Sequence, residues 1–208
     1  TGGWTGLRKW LRKIVHWRVG WRWYAFALLL PVILTGSAFA INLALGSRVI
    51  AGFEVPDVTA LSVRFLFIFV MIGLGEEPAW RGFALPQLMH GRSALAAALI
   101  LGAIHVVWHA PLFGVEYDLW NVLPWGITVV CVSVVICWMW LRTGGSLLLP
   151  ALLHTSNNTI ALLWKAFDGS DQLRLWWIWC ALWLAVTAAL IWTSGRTLQN
   201  GRSQPAKT

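Results

Sequence analysis

The chain has 208 residues, 58% of them hydrophobic, 13% aromatic and only 12% charged, a mixture too apolar for the surface of an ordinary soluble domain. Its formal net charge is +8, yet the basic clusters abut apolar stretches, which points to a membrane surface and excludes nucleic acid as the partner. Cys131, Cys137 and Cys180 all fall inside apolar stretches and read as small helix residues, so no disulfide framework is implied.

Residues 1–22 form a basic lead-in. Arg8, Lys9, Arg12, Lys13, Arg18 and Arg22 alternate there with Trp4, Trp10, Trp17 and Trp21, the composition of an amphipathic segment lying on an anionic membrane face. Crossing ~30 Å of hydrocarbon takes about 20 mostly apolar residues. Stretches of this kind follow at residues 23–45, 60–74, 94–113, 122–141, 147–164 and 173–192, separated by short connectors rich in Gly, Pro, Asp and Ser. The predicted fold is all-α: a polytopic membrane bundle of about six transmembrane helices over residues 23–194, then a polar, basic tail at 195–208.

Charge sets the expected orientation, because cytoplasmic connectors hold the excess of Lys and Arg. With the amino terminus inside, the inner side receives the lead-in, Arg92, Arg142 and the tail with Arg196, Arg202 and Lys207. The outer side receives Glu54, Asp57, Glu116, Asp118, Asp168 and Asp171. Both termini are thus expected in the cytoplasm. The remaining acids, Glu76 and Glu77, have no place in this topology.

They lie in Gly73-Leu74-Gly75-Glu76-Glu77-Pro78-Ala79-Trp80-Arg81-Gly82-Phe83, directly after the second apolar stretch. Ionisable groups at membrane depth are expensive and default to a functional role with a partner. Arg81, four residues after Glu77, shares its helix face and can pair with it. Glu76 points about 100° away and is left without a cation. An unpaired carboxylate in an apolar pocket suits a general base; alternatively both acids cap a helix start, where negative charge is favourable.

His105 and His109, spaced i,i+4 on the third stretch, face one way. They read as a functional pair or as hydrogen-bonded core histidines. His154 and Asn158 repeat the spacing on the fifth stretch, with Asn157 pointing elsewhere. Neutral donors on a rigid helix suit an oxyanion hole or plain interhelical hydrogen bonding. Three polar groups on three helices can converge in one bundle core.

These residues resemble the CAAX protease and bacteriocin-processing family, intramembrane glutamate proteases related to the type II CAAX prenyl endopeptidase. Glu76-Glu77-Pro78-Ala79-Trp80-Arg81 is similar to the EExxxR motif, Trp108-His109-Ala110-Pro111 to the end of FxxxH, and His154 with Asn158 to HxxxN. The resemblance covers residues 63–164. It implies an intramembrane endopeptidase in a bacterial plasma membrane, acting on a peptide or lipidated protein substrate among membrane lipids. Glu76 and His109 would activate water, His154 and Asn158 would hold the oxyanion, and Glu77 and Arg81 would position the first group.

One departure is His105, which occupies the aromatic position of FxxxH. With His109 and a glutamate it could complete a zinc site, although the resemblance implies a metal-independent mechanism and no cofactor. The cavity is expected to open toward the cytoplasmic connector at Gly91-Arg92, which Glu76 precedes. Two other functions use the same residues: a non-enzymatic membrane scaffold or bacteriocin self-immunity protein of this fold, and a small transporter with Glu76, His109 and His154 as a proton relay.

Overall fold

The computed structural model describes residues 3–115 and 118–199; Glu116, Arg202 and Lys207, placed above by charge, lie outside the described residues. Among the described residues, seven helices make up the bundle. The first, α1 (Trp4–Ile14), ends on Arg12 and Lys13, and its carboxyl end is tied down. The Lys13 carbonyl accepts from the Leu147 amide at 2.9 Å and the His16 carbonyl from Ser146 Oγ at 2.7 Å.

Helix α2 (Trp21–Ala44) follows. Helix α3 (Val58–Leu88) runs for 31 residues, joining the second predicted stretch to the segment that carries the two acids. Asp57 starts it, its carboxylate accepting from the Ala60 amide, as an N-cap should. Ser93 does the same for α4 (Ala94–Trp108), which ends in a short 3₁₀ turn, Ala110–Leu112. Helix α5 (Val122–Arg142) leads to α6 (Leu148–Ile160), prolonged as a 3₁₀ helix over Ala161–Ala166. The last long element is α7 (Gly169–Ser194).

Five helical segments among the described residues are long and apolar enough to cross a membrane: Trp21–Ala44, Val58–Leu88, Ala94–Leu112, Leu119–Arg142 and Gly169–Thr197. The fifth predicted stretch differs. It becomes the 13-residue α6, because residues 154–159 are an unbroken polar run, His-Thr-Ser-Asn-Asn-Thr. Such a run survives at membrane depth only when protein encloses it, and Leu149, Ala151, Leu153 and Thr155 are fully buried.

The bundle closes through close backbone approaches and interhelical hydrogen bonds, the devices available where lipid offers no hydrophobic gain. At Gly102 in α4, a Cβ would lie 2.8 Å from Cα of Val130 in α5. Ser133 Oγ donates to the Ala98 carbonyl at 2.9 Å, joining α5 to α4, and Ser156 Oγ to the Leu28 carbonyl at 2.7 Å, joining α6 to α2. Large apolar side chains face outward, among them Leu66, Val70 and Met71 on α3 and Ile104 and Val107 on α4, as lipid contact requires. The chain is an integral membrane helical bundle. The predicted polar tail begins with a 3₁₀ turn, Gly195–Thr197, that brings Leu198 into full burial beside Leu85 and Ala94.

Candidate active site

Glu76 and Glu77 occupy a short α-helical piece of α3, Leu74–Ala79, between two π-helical pieces, Phe69–Gly73 and Trp80–Ala84. Pro78 stands inside this piece and has no N–H to give the preceding turn. The widened π turns let the helix continue around that lost bond and re-aim the side chains it carries.

Glu77 is fully buried. Its Oε1 accepts from Arg81 Nη1 and from His154 Nδ1, both at 2.8 Å. Arg81 is itself only 1% exposed, so the pair cancels two charges that would otherwise be stranded at membrane depth. The same bonds fix the His154 ring: an ionised carboxylate only accepts, so Nδ1 carries a proton and Nε2 points away from Glu77. For Nε2 to donate as well, the ring must be doubly protonated.

Glu76 has a different setting. Its side chain is 25% exposed, and Oε2 accepts from Trp80 Nε1 at 3.1 Å. The expected absence of an arginine partner coincides with an indole donor on the same face. The imidazole closest to Glu76 is that of His105, whose Nε2 lies 3.6 Å from Oε2. His105 is buried and stacks between the Trp80 ring at 5.0 Å and the His109 ring at 4.8 Å, with the His154 ring edge-on at 5.9 Å. It therefore links the groups that the spacing assigned separately. His109 Nδ1 lies 3.0 Å from the His105 carbonyl, an acceptor, which leaves Nε2 of a neutral ring as the free lone pair.

A cavity of about 600 Å³ brings Glu76, His109, Asn157 and Asn158 to one wall system. Asn157 thus lines the same space as Asn158 instead of pointing away, both at the carboxyl end of α6. His154 stands behind this lining, bonded to Glu77. On α3 the lining residues Arg64, Ile68, Ile72 and Glu76 recur every four positions, one stripe of a helix. Glu76 lies at the floor, twelve residues or about 18 Å along the axis from Arg64.

Arg64 was not foreseen from the sequence. Its Nη2 donates to the Asn158 carbonyl at 3.1 Å and its Nε to the Thr159 carbonyl at 3.2 Å, satisfying carbonyls where α6 ends. The rim is completed by Asp118 and Lys165. It lies at the end of the bundle that holds residues 113–115, 118–121 and 166–168, opposite to Gly91 and Arg92, which corrects the expected direction of opening.

His105 Nε2 and Glu76 Oε2 are close enough to share an ion, but a zinc site needs a third protein ligand. Among the described residues no three His, Cys, Asp or Glu side chains are grouped to hold a metal.

Residues 58–160 match the family model for the type II CAAX prenyl endopeptidase, Rce1-like. The chain is also 28% identical over 105 residues to CAAX prenyl protease 2 of Methanococcus maripaludis, an alignment covering 46% of this chain and 39% of that protein. The chain thus matches about two fifths of the length of this curated relative. The matched segment contains Glu76, Glu77, Arg81, His105, His109, His154 and Asn158, and over it the chain is similar to the Rce1-like type II CAAX prenyl endopeptidases.

Proposed function

We propose that the chain is an intramembrane endopeptidase that cleaves a membrane-associated or lipidated polypeptide with water activated by Glu76 and His109. The observation that carries this reading is the shared cavity of Glu76, His109 and Asn158, backed by the buried Arg81–Glu77–His154 cluster. The name of the curated relative, a CAAX prenyl protease, makes a prenylated peptide the first substrate to try.

The chemistry is a hydrolysis. Water gives a proton to Glu76 or to His109 Nε2 as its oxygen bonds to the scissile carbonyl carbon. The resulting oxyanion is met by the Asn158 amide and by Nε2–H of a doubly protonated His154. Collapse breaks the C–N bond, and the proton held by the base passes to the departing amine. Glu77 and Arg81 keep the His154 ring oriented and touch no reacting atom. No step needs a metal or other cofactor.

The same reading places the bundle in a bacterial plasma membrane with both termini in the cytoplasm. The test is cleavage of a quenched fluorescent peptide bearing a farnesylated cysteine near its carboxyl end. Glu76→Gln and His109→Ala should each lower kcat by at least about 100-fold, and a chelator should leave the parent rate unchanged. Parent-like cleavage by both variants would sink the mechanism, and absence of cleavage by the parent would favour a scaffold or self-immunity role.

A further inference from the structure

We infer that His105 is a positioning residue: its Nε2–H holds one oxygen of the Glu76 carboxylate, Oε2, and so presents the other, Oε1, to the attacking water. The chemistry of this role rests on the endopeptidase reading; its geometry does not.

The two oxygens of Glu76 have unequal settings. Oε2 accepts from Trp80 Nε1 at 3.1 Å and lies 3.6 Å from His105 Nε2. Oε1 has no hydrogen-bond donor among the described residues, and Glu76 lines the cavity. The last torsion of a glutamate is broad and twofold, so a donor is needed to keep the two oxygens from exchanging places. Trp80 stands on α3 itself, four residues after Glu76, and ties the carboxylate only to its own helix. His105 stands on α4, the helix that ends at His109. It is therefore the contact that fixes Glu76 relative to the imidazole with which it shares the water.

The His105 ring is itself held. It is buried and forms the middle of a stack, with Trp80 at 5.0 Å and 23° between planes, and His109 at 4.8 Å and 27°. Turning Nε2 away from Glu76 would break both stacks. A ring nitrogen that meets a carboxylate, which only accepts, carries a proton. At 3.6 Å the contact is longer than a formed hydrogen bond; catalytic hydrogen bonds are often long without substrate and tighten in the complex. A phenyl ring would fill the same slot and keep the stack but bring no donor. The nitrogen is thus the part of this side chain that packing does not explain.

The test uses the quenched farnesylated peptide. His105→Phe keeps the ring and removes the donor, so kcat should fall about tenfold while KM stays within about twofold. Its melting midpoint in detergent should match that of the parent. His105→Gln carries an amide N–H at the reach of Nε2 and should restore kcat to within about threefold of the parent. His105→Asn, whose amide stops at the reach of Nδ1, should not. If His105→Phe melts early, the contrast between Gln and Asn decides alone.

A parent-like kcat in His105→Phe would overturn the inference, because the nitrogen would be dispensable. Equal losses in His105→Gln and His105→Asn would overturn it too, leaving only the ring to matter, as would a raised KM with kcat unchanged. Cleavage by the parent together with any of these results defeats the role of His105 alone. A parent that cleaves no peptide defeats the endopeptidase reading, and this role with it.

Discussion

Glu76 and Glu77 are chain neighbours with opposite surroundings, and this difference predicts separable losses. Glu77 is enclosed with Arg81 and His154. Glu77→Gln leaves a guanidinium buried without its counter-charge, and breaking such a pair costs about 3 to 5 kcal/mol. For a chain of this size that is a fall in melting midpoint of about 10 °C. Glu76 is partly exposed and faces an indole N–H and an imidazole, so Glu76→Gln should shift the midpoint by only about 2 °C while abolishing cleavage. Detergent melting curves beside initial rates would read both; equal midpoint losses would contradict the assignment. The Glu77–Arg81 pair was legible from its four-residue spacing. Trp80 stands at the same spacing from Glu76, but a search for cations passes over an indole donor. That His105, and not His109, lies closest to Glu76 depends on how α4 is rotated against α3, which spacing along one helix does not encode.

Among the elements, α3 and α6 meet where the site is built, and the contact is set by one glycine. A Cβ at Gly73 would lie 2.7 Å from Thr155 Oγ1 and 3.0 Å from the Ala151 carbonyl. Gly73→Ala should therefore push α3 from α6 next to the Glu77–His154 bond, lowering kcat by about tenfold, the effect of a small misplacement of positioned groups. Adding Thr155→Ala removes the nearest obstructing atom, and the double variant should recover part of that loss. A double variant as poor as Gly73→Ala would place the damage elsewhere. Gly102, at the α4–α5 contact, is equally tight but adjoins no site residue, so Gly102→Ala should lower the melting midpoint more than it changes the rate at permissive temperature. The turn residues of the connectors before α3 and α4 made the starts of both helices legible to within a few residues. The π-helical pieces around the two acids were not, since no apolar period announces an extra residue per turn. Arg64 was illegible for another reason: its partners at Asn158 and Thr159 are about ninety residues away in the chain, and nothing local names them.

At the scale of the whole molecule, apolar length and the side of each charge were enough to read an integral bundle. The polar run in α6 concealed that this segment is enclosed by its neighbours, and the end on which the cavity opens needed coordinates. Orientation itself rests on charge. Arg8, Arg12, Arg18 and Arg22 are all exposed at the end remote from the cavity, and each basic residue near an anionic leaflet contributes about 1 kcal/mol. Replacing all four with Gln should remove roughly 4 kcal/mol of that bias, leaving Lys9, Lys13, Arg92, Arg142 and Arg196 to hold the amino-terminal end on its proposed cytoplasmic side. The expected result is a mixed population, in which Arg92→Cys gains labelling by a membrane-impermeant maleimide in unpermeabilised spheroplasts. Unchanged labelling would mean that the lead-in binds the surface without directing insertion. Orientation would then be fixed by the charges between helices, and α1 would matter through its ties to Ser146 and Leu147, at the entry to the helix that carries His154 and Asn158.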